Sequence, residues 1–310
     1  MNNLEPINQT KLFGLYDYIK RLIGLYERDI LPHKILLSGQ KGLGKSTLSY
    51  HFINYVLSKN EDYAYDTNNL QINSKNHSFK TILNKSNPNF ILIDVKKEKE
   101  SIDINQIRDL ISNLNKSSFN KKKRFVLIDN IEFLSLNSVN ALLKILEEPT
   151  LNVQFILIGN NKMISPTLLS RCIEFKISLT NSENLEVANN LLDGKLQELI
   201  SANLINYYMT PGFIFNLAKF GKINEYDLSK INLKELIKIL IKNNHYKKDN
   251  FIQYMVYDFI EFYFNQINSS LSSKIHNKYS YFLKKISDTK RFNLDEESLF
   301  MEFEHEILNG

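Results

Sequence analysis

Residues Gly39–Thr47 read GQKGLGKST, and this stretch decides the fold. It fits the pattern Gly-x-x-x-x-Gly-Lys-Ser/Thr of a phosphate-binding loop, or P-loop. The apolar run Lys34–Ser38 precedes it, and a segment with its apolar residues on one face follows it. Because a P-loop lies between a buried strand and the start of a helix, this context predicts a nucleotide-binding fold.

The loop residues have separate expected tasks. Those expected to contact the nucleotide are Gly39, Gly42, Gly44, Lys45, Ser46 and Thr47. The glycines let the backbone curl, so that its N–H groups face phosphates at the start of the helix. Lys45 would reach the β- and γ-phosphates, and the Ser46 hydroxyl would bind magnesium. The predicted ligand is ATP with magnesium; a glycine turn without a ligand is the alternative.

The first 178 residues alternate short apolar runs with amphipathic segments, which is typical of a parallel sheet covered on both faces. The predicted strands are Lys34–Ser38, Phe90–Asp94, Phe125–Asp129, Phe155–Gly159 and Ile173–Ile177. After Thr180 the pattern is helical. The stretch Ser58–Pro88 is polar and poorly periodic, so we expect a surface insertion there.

The composition limits the class of protein. The 310 residues carry a net charge of +5 and a single cysteine, Cys172. One cysteine excludes an internal disulfide and a four-thiolate zinc site, so zinc is not expected. There is no secretory pattern at the start and no apolar run long enough for a bilayer, so we expect a cytoplasmic protein. The basic balance permits contact with nucleic acid without requiring it.

A second strand end carries a candidate metal ligand. Asp129 closes the run FVLID, where a carboxylate can hold magnesium opposite the Ser46 hydroxyl. In an active ATPase of this kind a glutamate commonly follows, but the next residue is Asn130, which cannot accept a proton. Glu132 could substitute for it, although a surface acid is the simpler interpretation.

Two longer stretches carry a family resemblance. SLNSVNALLKILEEPTLNVQFILIGNNKMISPTLLSRCIEFKI, residues 135–177, resembles the clamp-loader branch of the AAA+ ATPases. The matching features are the helix that ends in LEEP (Leu146–Pro149) and the triplet Ser170-Arg171-Cys172. LPHKILLSGQKGLGKSTLSYHF, PNFILIDV and IDINQIRDL add to the resemblance, which covers most of the first 178 residues.

The resemblance implies roles for further residues. Arg171 would be an arginine finger, which acts in trans on the nucleotide of a neighbouring subunit. From the residues alone, pairing of Arg171 with a local carboxylate is the alternative. A polar residue after the fourth strand would sense the γ-phosphate, and Asn160 and Asn161 both fit. ATPase-competent members carry an arginine after a Ser/Thr-Pro-Gly turn, whereas Phe213 follows Thr210–Gly212 here.

The implied α/β architecture has three parts: a P-loop AAA+ domain over 1–178, a small helical lid over 179–222 and a helical oligomerisation, or collar, domain over 223–310. The implied function is that of a non-motor clamp-loader subunit that binds ATP, hydrolyses it poorly and offers Arg171 to an adjacent ATPase. Its partners would be the other loader subunits and, through the complex, the sliding clamp and primer–template DNA. The alternatives are a self-sufficient AAA+ ATPase and, with less support, a small-molecule kinase.

Overall fold

The computed structural model describes residues 4–96, 99, 101–115, 120, 122–148, 152–160, 164–192, 194–267, 273–292 and 294–309. The chain forms two compact units, Met1–Asp193 with Met209–Asn216, and Gly194–Tyr208 with Leu217–Gly310. The three-part division expected from the sequence stays a prediction. Within the described ranges, no helix has both the length and the apolar character needed to cross a membrane.

A parallel sheet lies at the centre of the first unit. Its strands are β1 (Lys34–Ser38), β2 (Phe90–Ile93), β3 (Arg124–Ile128), β4 (Val153–Gly159) and β5 (Ile173–Lys176). They pair in the order β2-β3-β4-β1-β5, with all neighbours parallel. The five strands begin and end within two residues of the predicted ones, and the expected fold class is confirmed.

Helices cover both faces of this sheet. They are α1 (Tyr16–Glu27), α2 (Lys45–Ser58), α3 (His77–Leu83), α4 (Ile104–Leu114), α5 (Leu136–Glu147) and α6 (Pro166–Leu169), with 3-10 turns at Pro6–Asn8 and Ile131–Phe133. A seventh helix, α7 (Asn181–Leu191), follows the last strand. Leu37 belongs to one apolar cluster, with α1 and α2, while its neighbour Leu36 belongs to a second, with α4 and α5. Successive residues of β1 are therefore buried on opposite faces, which explains why the strand is a continuous apolar run.

The stretch between α2 and β2 is packed into the core, so the expectation of a surface insertion is wrong. Tyr65, Leu70 and Ile72 are buried in the same cluster as α1 and α2. The buried Asn76 side chain accepts from the Phe79 N–H at 2.7 Å and so begins α3. Asp66, Asn73 and Asn87 each accept a hydrogen bond from the backbone N–H two residues further on, which shapes turns. The apolar residues that reach the core are widely spaced between these turns, so the sequence shows no regular hydrophobic period.

The second unit is helical, as the sequence predicts beyond Thr180. Its helices are α8 (Leu196–Leu199), α10 (Leu233–Lys242), α11 (Asn250–Ile267), α12 (Ser273–Phe292) and α13 (Glu296–Phe303), with turns at Ala202–Leu204, His245–Lys247 and Glu304–Leu308; α9 (Pro211–Ile223) contributes to both units. Phe264, Phe282 and Phe303 pack ring against ring, and Phe282 and Phe303 lie edge to face at 5.3 Å between centroids.

Candidate nucleotide site

The P-loop connects β1 to α2 in a conformation that only glycine adopts without strain. Gly42 has a φ of 91°, and Gly44, the residue that caps α2, has a φ of 89°. The turn at the start of α9 lies against the loop: Thr210 Oγ1 donates to the Lys41 carbonyl at 2.9 Å, and the Gly212 N–H donates to the Gly42 carbonyl at 3.0 Å. A Cβ on Gly42 would lie 2.4 Å from Thr210 Oγ1, so this close approach also requires glycine.

Lys45 is the first residue of α2 and is only 3% exposed. Its Nζ donates to the carbonyl oxygens of Gly39 at 2.8 Å and Gln40 at 2.7 Å. Burial lowers the pKa of Lys45 to about 8, and the carboxylates of Asp129 and Glu132 oppose the shift. Because a buried ammonium is costly without an anionic partner, this arrangement fits a phosphate group at the loop.

Ser46 and Asp129 connect α2 to the end of β3. The Ser46 hydroxyl donates to the Asp129 carboxylate. Burial raises the pKa of Asp129 to about 6, and the nearby Asp94 carboxylate acts in the same direction. A hydroxyl and a carboxylate are hard oxygen ligands of the kind that magnesium prefers, so the pair fits a shared cation. Thr47, the next residue, is half-buried on α2.

A metal site made of protein groups alone is a separate question. Among the described residues, no group of three or more His, Cys, Asp and Glu side chains could hold a metal ion. Magnesium at a P-loop needs fewer protein ligands, because phosphate oxygens and water complete its coordination.

Four side chains form a hydrogen-bonded chain across the carboxyl ends of β2, β3 and β4. Asn130 Nδ2 donates to Asp94 Oδ1 at 2.8 Å. Asn160 Nδ2 donates to Asn130 Oδ1 at 3.0 Å and to Glu132 Oε1 at 2.9 Å. Glu132 is therefore a half-buried part of this site and not a plain surface acid. The second sensor candidate, Asn161, lies outside the described residues.

Arg171 lies between α6 and β5 and is 31% exposed. Its Nε donates to Glu147 Oε1 at 2.9 Å, and its Nη1 donates to the Thr167 carbonyl at 2.9 Å. The local pairing considered from the sequence is therefore present in the chain by itself, and the role of Arg171 in trans stays a prediction. The neighbouring Cys172 is buried, and burial raises the pKa of its thiol to about 11.

Sequence reasoning missed two acids of these sites. Asp94 ends the run FILID much as Asp129 ends FVLID, and parallel strands place such ends on one edge of the sheet. That repetition was the available signal. Glu147 gave no comparable signal, because its partner Arg171 is 24 positions away and only the packing of α5 beside α6 brings the two together.

The loop, the strand-end carboxylate and the parallel sheet together define a P-loop nucleotide-fold protein. A family model described as DNA polymerase III, delta subunit, matches residues 15–181, more than half of the chain. The chain belongs to this family.

Two relatives align with most of this chain. DNA polymerase III subunit delta' of Buchnera aphidicola subsp. Schizaphis graminum is 24% identical over 284 residues, which cover 87% of this chain and 83% of the relative. DNA polymerase III subunit gamma/tau of Mycoplasma genitalium is 26% identical over 287 residues, which cover 91% of this chain but only 46% of the relative. Among solved structures, a DNA polymerase III gamma subunit-related protein of Thermotoga maritima aligns with a TM-score of 0.48 at 18% identity, over 93% of this chain and 97% of that one.

Proposed function

We propose that this chain is a delta prime-type subunit of the DNA polymerase III clamp loader. In that role it helps to load the sliding clamp onto primer–template DNA, with gamma/tau-type and delta subunits as its direct partners. Membership of the family over residues 15–181 supports this assignment. The alignment with a delta' subunit over 87% of the chain supports it further.

The proposed ligand of the P-loop is ATP with magnesium. Lys45 and the loop N–H groups would hold the phosphates, and Ser46 with Asp129 would hold the ion. Bound magnesium neutralises phosphate charge and orients the phosphate chain. The buried Lys45 ammonium supports the proposal, because it needs an anion more than it needs the two carbonyls it now contacts.

One observation carries the proposal of poor hydrolysis: an amide follows the strand-end carboxylate. Asn130 Nδ2 donates a hydrogen bond to Asp94 Oδ1 at 2.8 Å, and its amide cannot take a proton from an attacking water. Phe213, after the turn that lies on the loop, brings no charge to a phosphate. The chain would therefore bind ATP, turn it over slowly, and offer the Arg171 guanidinium to the nucleotide of a neighbouring ATPase subunit.

A second candidate function, a self-sufficient AAA+ ATPase, is favoured by the position of Glu132. This carboxylate accepts from Asn160 Nδ2 at 2.9 Å and lies close enough to Lys45 to influence its pKa. In that case Glu132 would orient the attacking water in place of the missing acid at position 130.

ATPase assays on the purified chain and on the assembled complex separate the two functions. If the chain is a delta prime-type subunit, it should bind ATP by itself without appreciable turnover. The assembled complex should then hydrolyse ATP more slowly when it carries Arg171→Ala. An arginine finger contributes on the order of a thousandfold at the site that it serves. Brisk turnover by the chain alone that Glu132→Gln removes would establish the second function. An unchanged rate of the Arg171→Ala complex would refute the finger.

A further inference from the structure

All three guanidinium nitrogens of Arg171 donate within this chain. Nε donates to Glu147 Oε1 at 2.9 Å, and Nη2 forms an ion pair with the same oxygen. Nη1 donates to the Thr167 carbonyl at 2.9 Å and to Ser170 Oγ at 3.3 Å. Nε and Nη2 form the edge of the guanidinium that can bind an anion with two N–H groups, and Glu147 already occupies this edge.

The position of Glu147 is fixed by the fold. It is the last residue of α5, and Lys34 Nζ, at the start of β1, donates to the carbonyl of the preceding Leu146. The end of α5 is thus attached to the central sheet, which holds the Glu147 backbone beside Arg171. The Glu147 side chain itself is 56% exposed, so its carboxylate can turn away into water without disturbing the core.

A phosphate and Glu147 compete for the same side of the guanidinium. Two-pronged binding of a phosphate needs two N–H groups from one edge, and Glu147 occupies the Nε and Nη2 edge. Both competitors are anions and repel each other at contact distance. The Thr167 partner is a main-chain carbonyl that cannot turn away as a side chain does. Glu147 is therefore the partner that an incoming phosphate would replace.

We propose that Glu147 is a positioning residue that holds Arg171 within this chain until the phosphate of a neighbouring subunit's nucleotide displaces it. The inference rests on the proposed role of Arg171 as a trans-acting finger. Exposed ion pairs are weak, so a phosphate can easily replace Glu147 as the partner of Arg171. The ion pair keeps the guanidinium ordered before assembly, and a competing anion is needed to release Arg171 from Glu147.

The test uses the complex reassembled from this chain with its gamma-type and delta-type partner subunits, and measures ATP turnover against ATP concentration. Glu147→Gln keeps the shape of the side chain but weakens the ion pair. It should lower the ATP concentration at half-maximal rate about two- to fivefold at the site served by Arg171, with the maximal rate unchanged. Glu148→Gln is the matched control: it makes the same charge change one residue further on, at an exposed position, and should have no effect.

A second background shows whether the effect passes through Arg171. In complexes that carry Arg171→Ala, adding Glu147→Gln should change nothing further. A persistent effect there, a fall in maximal rate, or no change with Glu147→Gln alone would overturn the inference while leaving the finger intact. If Arg171→Ala alone leaves the rate of the complex unchanged, the proposed role of Arg171 as a finger fails first, and the inference fails with it.

Discussion

The Asn130 side-chain amide donates a hydrogen bond of 2.8 Å to the Asp94 carboxylate, across the ends of β3 and β2. Asn130 itself adopts a left-handed backbone conformation, with a φ of 56°, and its N–H donates to Asp129 Oδ1 at 2.8 Å. One neutral residue thus donates to two carboxylates, through its side chain and its backbone. An acid at this position would instead add a third negative charge.

Asn130→Asp should therefore lower the free energy of unfolding of the ligand-free chain by about 1–3 kcal/mol, because a carboxylate would face Asp94 and lose its hydrogen bond. Asp94→Asn in the same chain should recover most of that loss by restoring a donor–acceptor pair. Urea unfolding of both single variants and the double variant measures the coupling between the two positions.

The matched control for this pair is Asn105→Asp, the same substitution at an exposed site in the first turn of α4. An acid there faces the positive end of the helix dipole and should be neutral or slightly stabilising. A coupling energy near zero between positions 94 and 130 would contradict the electrostatic account of Asn130.

Gly42→Ala should destabilise the first unit by about 1–3 kcal/mol. Alanine would adopt a left-handed φ of 91° and place its Cβ 2.4 Å from Thr210 Oγ1. Gly24→Ala, inside α1, is the control: a Cβ there has nothing within 4 Å, so the change should stabilise by about 0.5–1 kcal/mol. Thermal unfolding of the two variants gives the comparison, and equal shifts of the same sign would contradict the proposed role of Gly42.

The strands and the P-loop could be predicted because their signals are local. A continuous apolar run such as Phe155–Gly159 has one simple explanation, a strand buried on both faces, and the structure confirms it. The prediction for the segment between α2 and β2 was wrong because its contacts with the core are long-range. Tyr65, for example, bonds to the buried His51 through its hydroxyl, a contact that no periodicity announces.

The candidate site, too, could be predicted only in part. The fold alone brings Ser46 to the strand-end Asp129, as predicted from two separate motifs. The amide chain through Asn160 and the pairing of Arg171 with Glu147 depend on side-chain directions at loop and helix ends. Those directions follow from the packing of several elements at once, which one sequence does not encode in any single spacing.

His51 should make the chain sensitive to mild acid. It is fully buried in α2, with Nδ1 3.0 Å from the Tyr65 hydroxyl, and burial lowers its pKa from 6.5 to about 4, although the Gln9 backbone opposes the shift. Between these values the unfolded state binds the extra proton, so stability falls as the pH drops. The loss should be on the order of 2–3 kcal/mol between pH 7 and 4.

Urea midpoints measured across that pH range test the assignment. His51→Gln should remove most of the decrease in the free energy of unfolding between pH 7 and 4. His77→Gln, an exposed position in the same unit, should retain it. If the stability of His51→Gln depends on pH as steeply as that of the unchanged chain, other groups cause the acid sensitivity.

Lys45 and Lys41 allow the nucleotide proposal to be tested with one type of substitution. Both lysines belong to the P-loop segment, but Lys45 is buried on the carbonyls of Gly39 and Gln40 whereas Lys41 is exposed. Lys45→Ala should weaken binding of magnesium–ATP about 100-fold, because it removes a charge-assisted contact from a desolvated position. Lys41→Ala should weaken it less than about threefold, since solvent and salt screen an exposed charge. Equilibrium binding of a fluorescent ATP analogue to each variant, with unfolding temperatures to verify the fold, gives the answer. Equal losses in the two variants would mean that only the general positive charge of the loop attracts the nucleotide, and the P-loop assignment would lose its main support.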